Sequence, residues 1–314
     1  MHFAYPPRKP SNPPPFRPRT SRFTALRRSR VKTLGLIGIG FLFLLYVLLG
    51  RYESPPTSKA KHVPSGSPPV VMVTVLNSEH GLEYKNTIKE NRNSYAQRHG
   101  YETFFTHIGD YDLHGAPMSW TRVVAMRHAL TKFPDAKYVW FLGQDSLIMD
   151  PKISIHRDIM GHDNLEQSML REQPVALPDS VIKTSRQLAP DQVELALTQD
   201  KAGMSPESMI LKNGEWAEFF LDTWYDPLFR SYNFKKAEVH ALEHIVLWHK
   251  TILSKLAILP QRILNAYSDP TEGEQYQEGD FVVRFAGCTK TGEKSCQQEA
   301  LRYDEQWRKA FEAV

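Results

Sequence analysis

The chain has 314 residues, with 39 Lys and Arg against 35 Asp and Glu and only two cysteines. That length leaves room for one large domain plus appendages, and two cysteines exclude a disulfide-built miniature scaffold. The basic excess is local. The first 33 residues hold nine basic and no acidic residues, leaving 30 against 35 in the remainder, which excludes a basic nucleic-acid surface.

Residues 1–33 also contain seven of the 22 prolines, and this composition predicts a disordered basic tail. Residues 34–50 are seventeen residues without a charge, near the lower limit for crossing a bilayer. The basic excess precedes this span, so the tail is expected in the cytosol and the rest across the membrane, as in an uncleaved signal anchor. A cleaved signal peptide fits poorly, because the basic region is long and no small-x-small site follows Leu49. The short, Phe-rich span suits the thinner membranes of the early secretory pathway. Residues 51–69, with five prolines, read as a stalk. Residues 70–314 are then one luminal domain.

The domain opens with a β-branched run from Val70 to Leu76, read as a buried strand. A polar helix follows from Leu82, with Gly100 as its stop, then a strand around Phe104 and Phe105. A loop carries Asp110, Asp112 and His114. A second helix begins near Ser119, with Trp120, Val123, Val124, Met126 and Leu130 at near-helical spacing. Tyr138 to Leu142 is an uncharged aromatic run and predicts a strand buried on both faces. Alternating strands and helices predict an α/β fold with a central, mostly parallel sheet. Further on, Met209, Ile210 and Leu211 read as a strand. Residues 214–225 and 237–255 read as helices, residues 281–285 as a late strand, and residues 297–313 as a terminal helix.

The most informative stretch lies just after the third strand, because ligands of open α/β sheets bind outside the carboxyl ends of the strands. Gln144 and Asp145 stand there, with Asp150 beyond. A carboxylate at that place is where a nucleotide-sugar transferase holds metal and diphosphate; a surface turn after a core strand is the alternative. Trp120 and Arg122 are donor-pocket candidates, with a core tryptophan as the other reading. Asp200 and Ser205 to Glu207 are acceptor candidates or a solvated turn. His240 and His244 share a helical face with Glu243 beside them, but the spacing is not that of a zinc protease, so they read as packed histidines at the base of an acceptor site. Cys288 and Cys296 lie eight apart, a spacing that permits a bridge or two independent thiols.

Five ordered blocks carry a family resemblance: residues 94–102 (SYAQRHGYE), 140–151 (WFLGQDSLIMDP), 212–224 (KNGEWAEFFLDTW), 240–245 (HALEHI) and 283–288 (VRFAGC). The chain resembles the fungal Golgi mannosyl- and galactosyltransferases whose relatives include plant xyloglucan xylosyltransferases. Within that family it is similar to subunits of the α-1,6-mannan polymerase. The resemblance implies a GT-A-like domain, transfer with retention, GDP-mannose as donor and Mn²⁺ as cofactor. It also implies an N-glycan mannan acceptor, homologous partner subunits and a single-pass type II Golgi membrane protein. Glu238 matches an acidic residue near the anomeric carbon, and with Glu243 it is the catalytic candidate. Asp145 matches a metal ligand.

Two positions depart from the pattern. Members with a clear metal site have Asp-x-Asp where this chain has Gly143, and a metal-ligating His where it has Arg284. Glycine offers no side-chain ligand and arginine is itself a cation. Three readings stay open: weaker use of a cation, Arg284 in its place against the diphosphate, or a non-catalytic partner subunit. A UDP-galactose-dependent transferase is a further alternative.

Overall fold

The computed structural model describes residues 66–313 apart from 233 and 272, together with residues 38 and 40. The expected tail, nearly all of the expected span and most of the stalk lie outside the described residues. Among the described residues no helix is long and apolar enough to cross a membrane. The chain divides into two units, residues 1–62 and 63–314, and the second carries the α/β fold.

In chain order its elements are β1 (Val70–Leu76), α1 (Leu82–His99), β2 (Glu102–His107), α2 (Thr121–Lys132), β3 (Tyr138–Leu142), β4 (Ser146–Ile148) and α3 (His162–Ser168). Then come β5 (Leu195–Asp200), β6 (Gly203–Lys212), α4 (Glu215–Trp224), α5 (Pro227–Ser231), α6 (Ala237–Trp248) and α7 (Lys250–Leu253). The last are β7 (Leu256–Leu259), α8 (Gln261–Leu264), β8 (Ala266–Tyr267), β9 (Val282–Arg284) and α9 (Cys296–Glu312). Six strands form one sheet in the order β2-β1-β3-β6-β5-β7. The pairs β1–β2, β1–β3 and β5–β7 are parallel, whereas β6 runs antiparallel to both β3 and β5. The sheet is thus mostly parallel, with β6 as the reversed strand. A small second sheet has the order β4-β9-β8.

Strand alternation builds two cores. Val71, Val73, Val139, Phe141, Leu195, Leu197, Met209 and Leu211 point to one face, where α2, α4 and α6 cover them. Met72, Trp140, Leu142, Ala196 and Ile210 point to the other, against Tyr95 and Ala96 of α1. Buried positions on α1 recur as Tyr84, Ile88, Asn91, Arg92, Tyr95 and Ala96, a single helical stripe. The helix stops at Gly100, whose φ of 65° permits the left-handed cap that bonds back to Ala96 O. A third cluster, including Leu147, Val283, Phe285 and Trp307, binds α9 to the small sheet.

Several elements differ from the sequence reading. β6 begins six residues before Met209, at Gly203, because its first half is held by pairing and not by apolar character. Its register to β5 shifts, so that Leu197 faces Met209 and Thr198 faces Ser205. The residues between bulge out, and Pro206, which has no amide hydrogen to offer a ladder, sits in the bulge. The helix expected over 237–255 breaks at His249, whose ψ of 96° leaves the helical region, and α7 then turns Ile252 into the core. In α4, Phe220 and Trp224 are core residues, while Phe219 is half exposed.

Candidate active site

β1 and β3 run parallel and end at the same edge of the sheet. A cleft of about 350 Å³ opens there, lined by Asn77 and His80 after β1, Gly143, Gln144 and Asp145 after β3, Arg122 of α2 and Glu207 of β6. This is the crevice that open α/β sheets offer to ligands.

The loop after β3 is clamped from behind. Arg92 of α1 is fully buried, and its Nη2 donates to Gly143 O (3.0 Å) and Ser146 O (2.9 Å). Its neighbour Asn91 exchanges hydrogen bonds with the backbone of Ile148 in both directions, each 2.9 Å. Tyr84 donates to Gln144 O at 2.5 Å. The Gln144 side chain accepts from Asn77 N at 2.8 Å, so it ties the two strand ends together instead of standing free for a donor. The bulge in β6 delivers Glu207 to the same edge, where its carbonyl accepts from Gly143 N at 2.8 Å.

Arg284 arrives from the small sheet. It pairs in register with Ser146, and Phe285 N donates to Asp145 O at 2.7 Å. Its Nε donates to Asp145 Oδ2 at 3.0 Å, and its Nη2 lies 3.5 Å from Glu207 Oε1. Arg122 Nη2 donates to Glu207 Oε1 at 2.6 Å and lies 3.4 Å from Glu238 Oε1. The result is an alternating row of charges: Asp145, Arg284, Glu207, Arg122, Glu238. Burial alone would lower the pKa of both guanidiniums, but the adjoining carboxylates raise both. Burial would raise Glu207, but Arg122 and Arg284 hold it below its ordinary value. Arg122, Arg284 and Glu207 are therefore ionised at neutral pH.

The sequence candidates fall into three groups. Asp145 and Arg122 line the cleft, and Arg284 and Glu238 stand behind its wall, ion-paired to the lining residues Asp145, Glu207 and Arg122. Glu238 is 2% exposed at the start of α6, bonded through its carboxylate to Ser119, and its backbone carbonyl accepts from Trp224 Nε1 at 2.8 Å. Asp200 and Ser205 join from the far side of Arg284. Tyr267 Oη donates to Asp200 Oδ2 at 2.6 Å and accepts from Arg284 Nη1 at 3.0 Å, while Ser205 Oγ lies 3.3 Å from that same Nη1. The third group stands apart. Trp120 is 1% exposed, its ring against Tyr225, and it does not line this cleft. It lines instead a separate cavity beside His114, Pro117 and Arg230. Glu243 is held at the β5–β6 turn, where Oε1 accepts from Met204 N at 3.0 Å. His240 and His244 lie on α6 among the rings of Phe234, Phe229 and Trp248. Cys288 and Cys296 are joined in a disulfide on the wall of the cleft. Sequence reasoning missed Arg92 and undervalued Glu207; the Pro206 that marks the bulge was the available signal.

A divalent metal does not fit these residues. Hard cations take several oxygen ligands at roughly 2.0–2.6 Å. Asp145 and Glu207 already share a guanidinium, and among the described residues no group of three His, Cys, Asp or Glu could hold an ion. A doubly charged ion about 4 Å from Arg284 would meet a repulsion of about 8 kcal/mol at an effective dielectric constant of about 20, which cancels the attraction of one adjoining carboxylate at the same distance.

Residues 66–296 match the galactosyl transferase GMA12/MNN10 family. A Schizosaccharomyces pombe protein described as an uncharacterized alpha-1,2-galactosyltransferase is 31% identical over 82% of this chain and 87% of its own length. An alpha-1,2-galactosyltransferase of the same yeast is 28% identical over 70% of this chain and 60% of its own length. The probable alpha-1,6-mannosyltransferase MNN10 of Saccharomyces cerevisiae is 29% identical over 76% of this chain and 66% of its own length. A crystal structure of a glycosyltransferase involved in the glycosylation of the major capsid of PBCV-1 superposes with a TM-score of 0.46 at 14% identity, covering 79% of this chain and 100% of that one. The chain belongs to the galactosyl transferase GMA12/MNN10 family and is a glycosyltransferase.

Proposed function

We propose that this chain transfers an α-mannosyl residue from GDP-mannose, with retention, to mannan outer chains of N-glycans through an α-1,6 linkage. The observation that carries the reading is the cleft at the ends of β1 and β3, walled by the row of ion pairs from Asp145 to Glu238. On this reading Arg122 and Arg284 take the diphosphate and Glu238 serves the sugar's reacting face, where a buried carboxylate stabilises developing positive charge. The protein acts as a single-pass type II membrane protein of the Golgi, alongside homologous mannosyltransferase subunits. A second reading, transfer of galactose from UDP-galactose, is favoured by the names of the fission-yeast relatives.

The test is transfer by the purified full chain, alone and with its partner subunits, offered GDP-mannose and UDP-galactose separately on an oligomannose acceptor. An α-1,6-mannosyl product that disappears with Glu238→Gln supports the main reading. A galactosylated product replaces it with the second. Unchanged activity of an assembled complex carrying both Asp145→Ala and Glu238→Gln would show that this subunit serves only as a scaffold. Protease added to sealed microsomes should leave the domain intact; digestion of residues 70–314 would overturn the luminal placement.

A further inference from the structure

We propose that this cleft binds the donor's diphosphate through Arg284 and Arg122 and carries out transfer without a divalent cation. The inference rests on the donor-cleft reading above and concerns what neutralises the donor.

Arg284 fills the place of a bound cation. Its guanidinium touches Asp145 at 3.0 Å, Glu207 at 3.5 Å and Tyr267 at 3.0 Å. The position is fixed on several sides, since β9 pairs with β4 in register and Phe285 N is tied to Asp145 O. A planar guanidinium with five donors suits phosphate oxygens, and unlike an ion it cannot be chelated away.

Gly143 belongs to the same arrangement. A Cβ at this position would lie 2.5 Å from Asp145 Oδ1 and 3.2 Å from Glu207 Oε2. A side chain at residue 143 would therefore press on Asp145 Oδ1 and shift the carboxylate from the orientation in which Oδ2 accepts from Arg284. The missing ligand and the added guanidinium are two halves of one packing solution.

Arg122 supplies the independent observation. It lines the cleft, and its Nη2 is used by Glu207, but its buried Nε and Nη1 have no hydrogen-bond partner. Buried donors of this kind are costly unless an acceptor arrives, and phosphate oxygens are strong acceptors. Three carboxylates face two guanidiniums along the row, so the incoming diphosphate competes with Asp145 and Glu207 for them. Binding should consequently weaken as salt rises.

The experiment is equilibrium binding of GDP and UDP to the purified full chain, in EDTA and in Mn²⁺, with thermal melts to confirm folding. The proposal expects one nucleotide to bind with affinities within about twofold in the two conditions. Arg284→Ala should weaken that binding at least tenfold, and Arg284→Lys should recover part of it. Arg122→Gln, which keeps a neutral donor, should also weaken it and covers the case in which Arg284→Ala does not fold. Gly143→Asp combined with Arg284→His should make binding depend on Mn²⁺. Binding by the unaltered chain only in Mn²⁺, or undiminished binding by both arginine variants, overturns the proposal and leaves the donor-cleft reading standing. Failure to bind either nucleotide in either condition overturns that reading and the proposal with it.

Discussion

Replacing Arg92 with Met tests whether the loop that carries Asp145 is held by α1. The guanidinium is fully buried with no carboxylate in contact; burial lowers its pKa to about 9, which leaves it charged at neutral pH. It serves four acceptors: Gly143 O, Ser146 O, Ser146 Oγ at 3.2 Å and Asn91 Oδ1 at 2.6 Å. Methionine conserves much of the volume but removes those hydrogen bonds, each worth about 1.5–3 kcal/mol with a charged donor, although Gly143 O keeps Ser146 Oγ and Asn91 Oδ1 keeps Ile148 N. Against this, removing a buried charge recovers several kcal/mol of desolvation. The balance leaves a net loss of about 3 kcal/mol, and a domain of this size loses roughly 2–4 °C in Tm per kcal/mol. Arg92→Met should thus melt about 6–12 °C below the parent, while Arg92→Lys, which keeps charge and donors, should fall between. Circular dichroism melts give the stability, and amide hydrogen exchange of residues 143–148 gives the loop. A melt within 2 °C of the parent, with unchanged protection of the loop, would refute the clamp.

Three further outcomes are expected. Reducing the Cys288–Cys296 bridge, or replacing both cysteines with Ser, opens a short loop worth about 2–3 kcal/mol in chain entropy, and the melt should drop accordingly; no change would mean that the loop is already fixed by Ser295 and Thr289. His99 and His156 flank Tyr101, and burial holds both below the ordinary value of 6.5. The unfolded chain therefore takes up protons first, so stability present above about pH 6.5 is lost as pH falls through the folded-state values. Melts from pH 7.5 to 5.5 should show this decline, and it should be shallower in the His99→Gln, His156→Gln double variant; equal slopes would remove these two residues from the account. Gly143→Ala has no left-handed φ to violate and gains about 0.4–1 kcal/mol from the unfolded state, but it forces Asp145 off its rotamer at about 0.5–1.5 kcal/mol. Its melt should stay within a few degrees of the parent while nucleotide binding weakens, and full binding would show that the Asp145 rotamer is unimportant.

The strands that could be read directly were those whose apolar residues are self-sufficient, as in β1 and β3, where a run of Val, Met, Trp and Phe admits no other burial. β5 reads Leu-Ala-Leu-Thr-Gln-Asp, good helix formers by composition, and becomes a strand because β6 and β7 pair with it on either side. β4 and β9 have three residues each and are specified by one another, across some 136 positions of sequence. The site followed the same division. Asp145, Arg122, Arg284 and Glu238 were visible as charges near strand ends or motif blocks. Glu207 depended on a bulge, and Arg92 on the stripe by which α1 faces the loop after β3. Trp120 carried two readings, because a tryptophan beside a loop looks the same in sequence whether it faces a ligand or the core.

The row from Asp145 to Glu238 also bears on why the two departures from the metal-binding pattern coexist. Each arginine is shared between two carboxylates, and Glu207 is shared between two arginines. Buried ion pairs add little net stability, because desolvation offsets most of their attraction, but breaking one leaves an uncompensated charge. With histidine in place of Arg284, Glu207 would keep Arg122 alone and Asp145 would face the cleft without a fixed cation. With a side chain at residue 143, Asp145 would be pushed from Arg284 and the guanidinium would hold fewer partners. Each change alone leaves a charge stranded in a buried place; together they close the row. The pairing of Gly143 with Arg284 is therefore a constraint of electrostatics and of the 2.5 Å approach at residue 143, and it separates this cleft from one built around an ion.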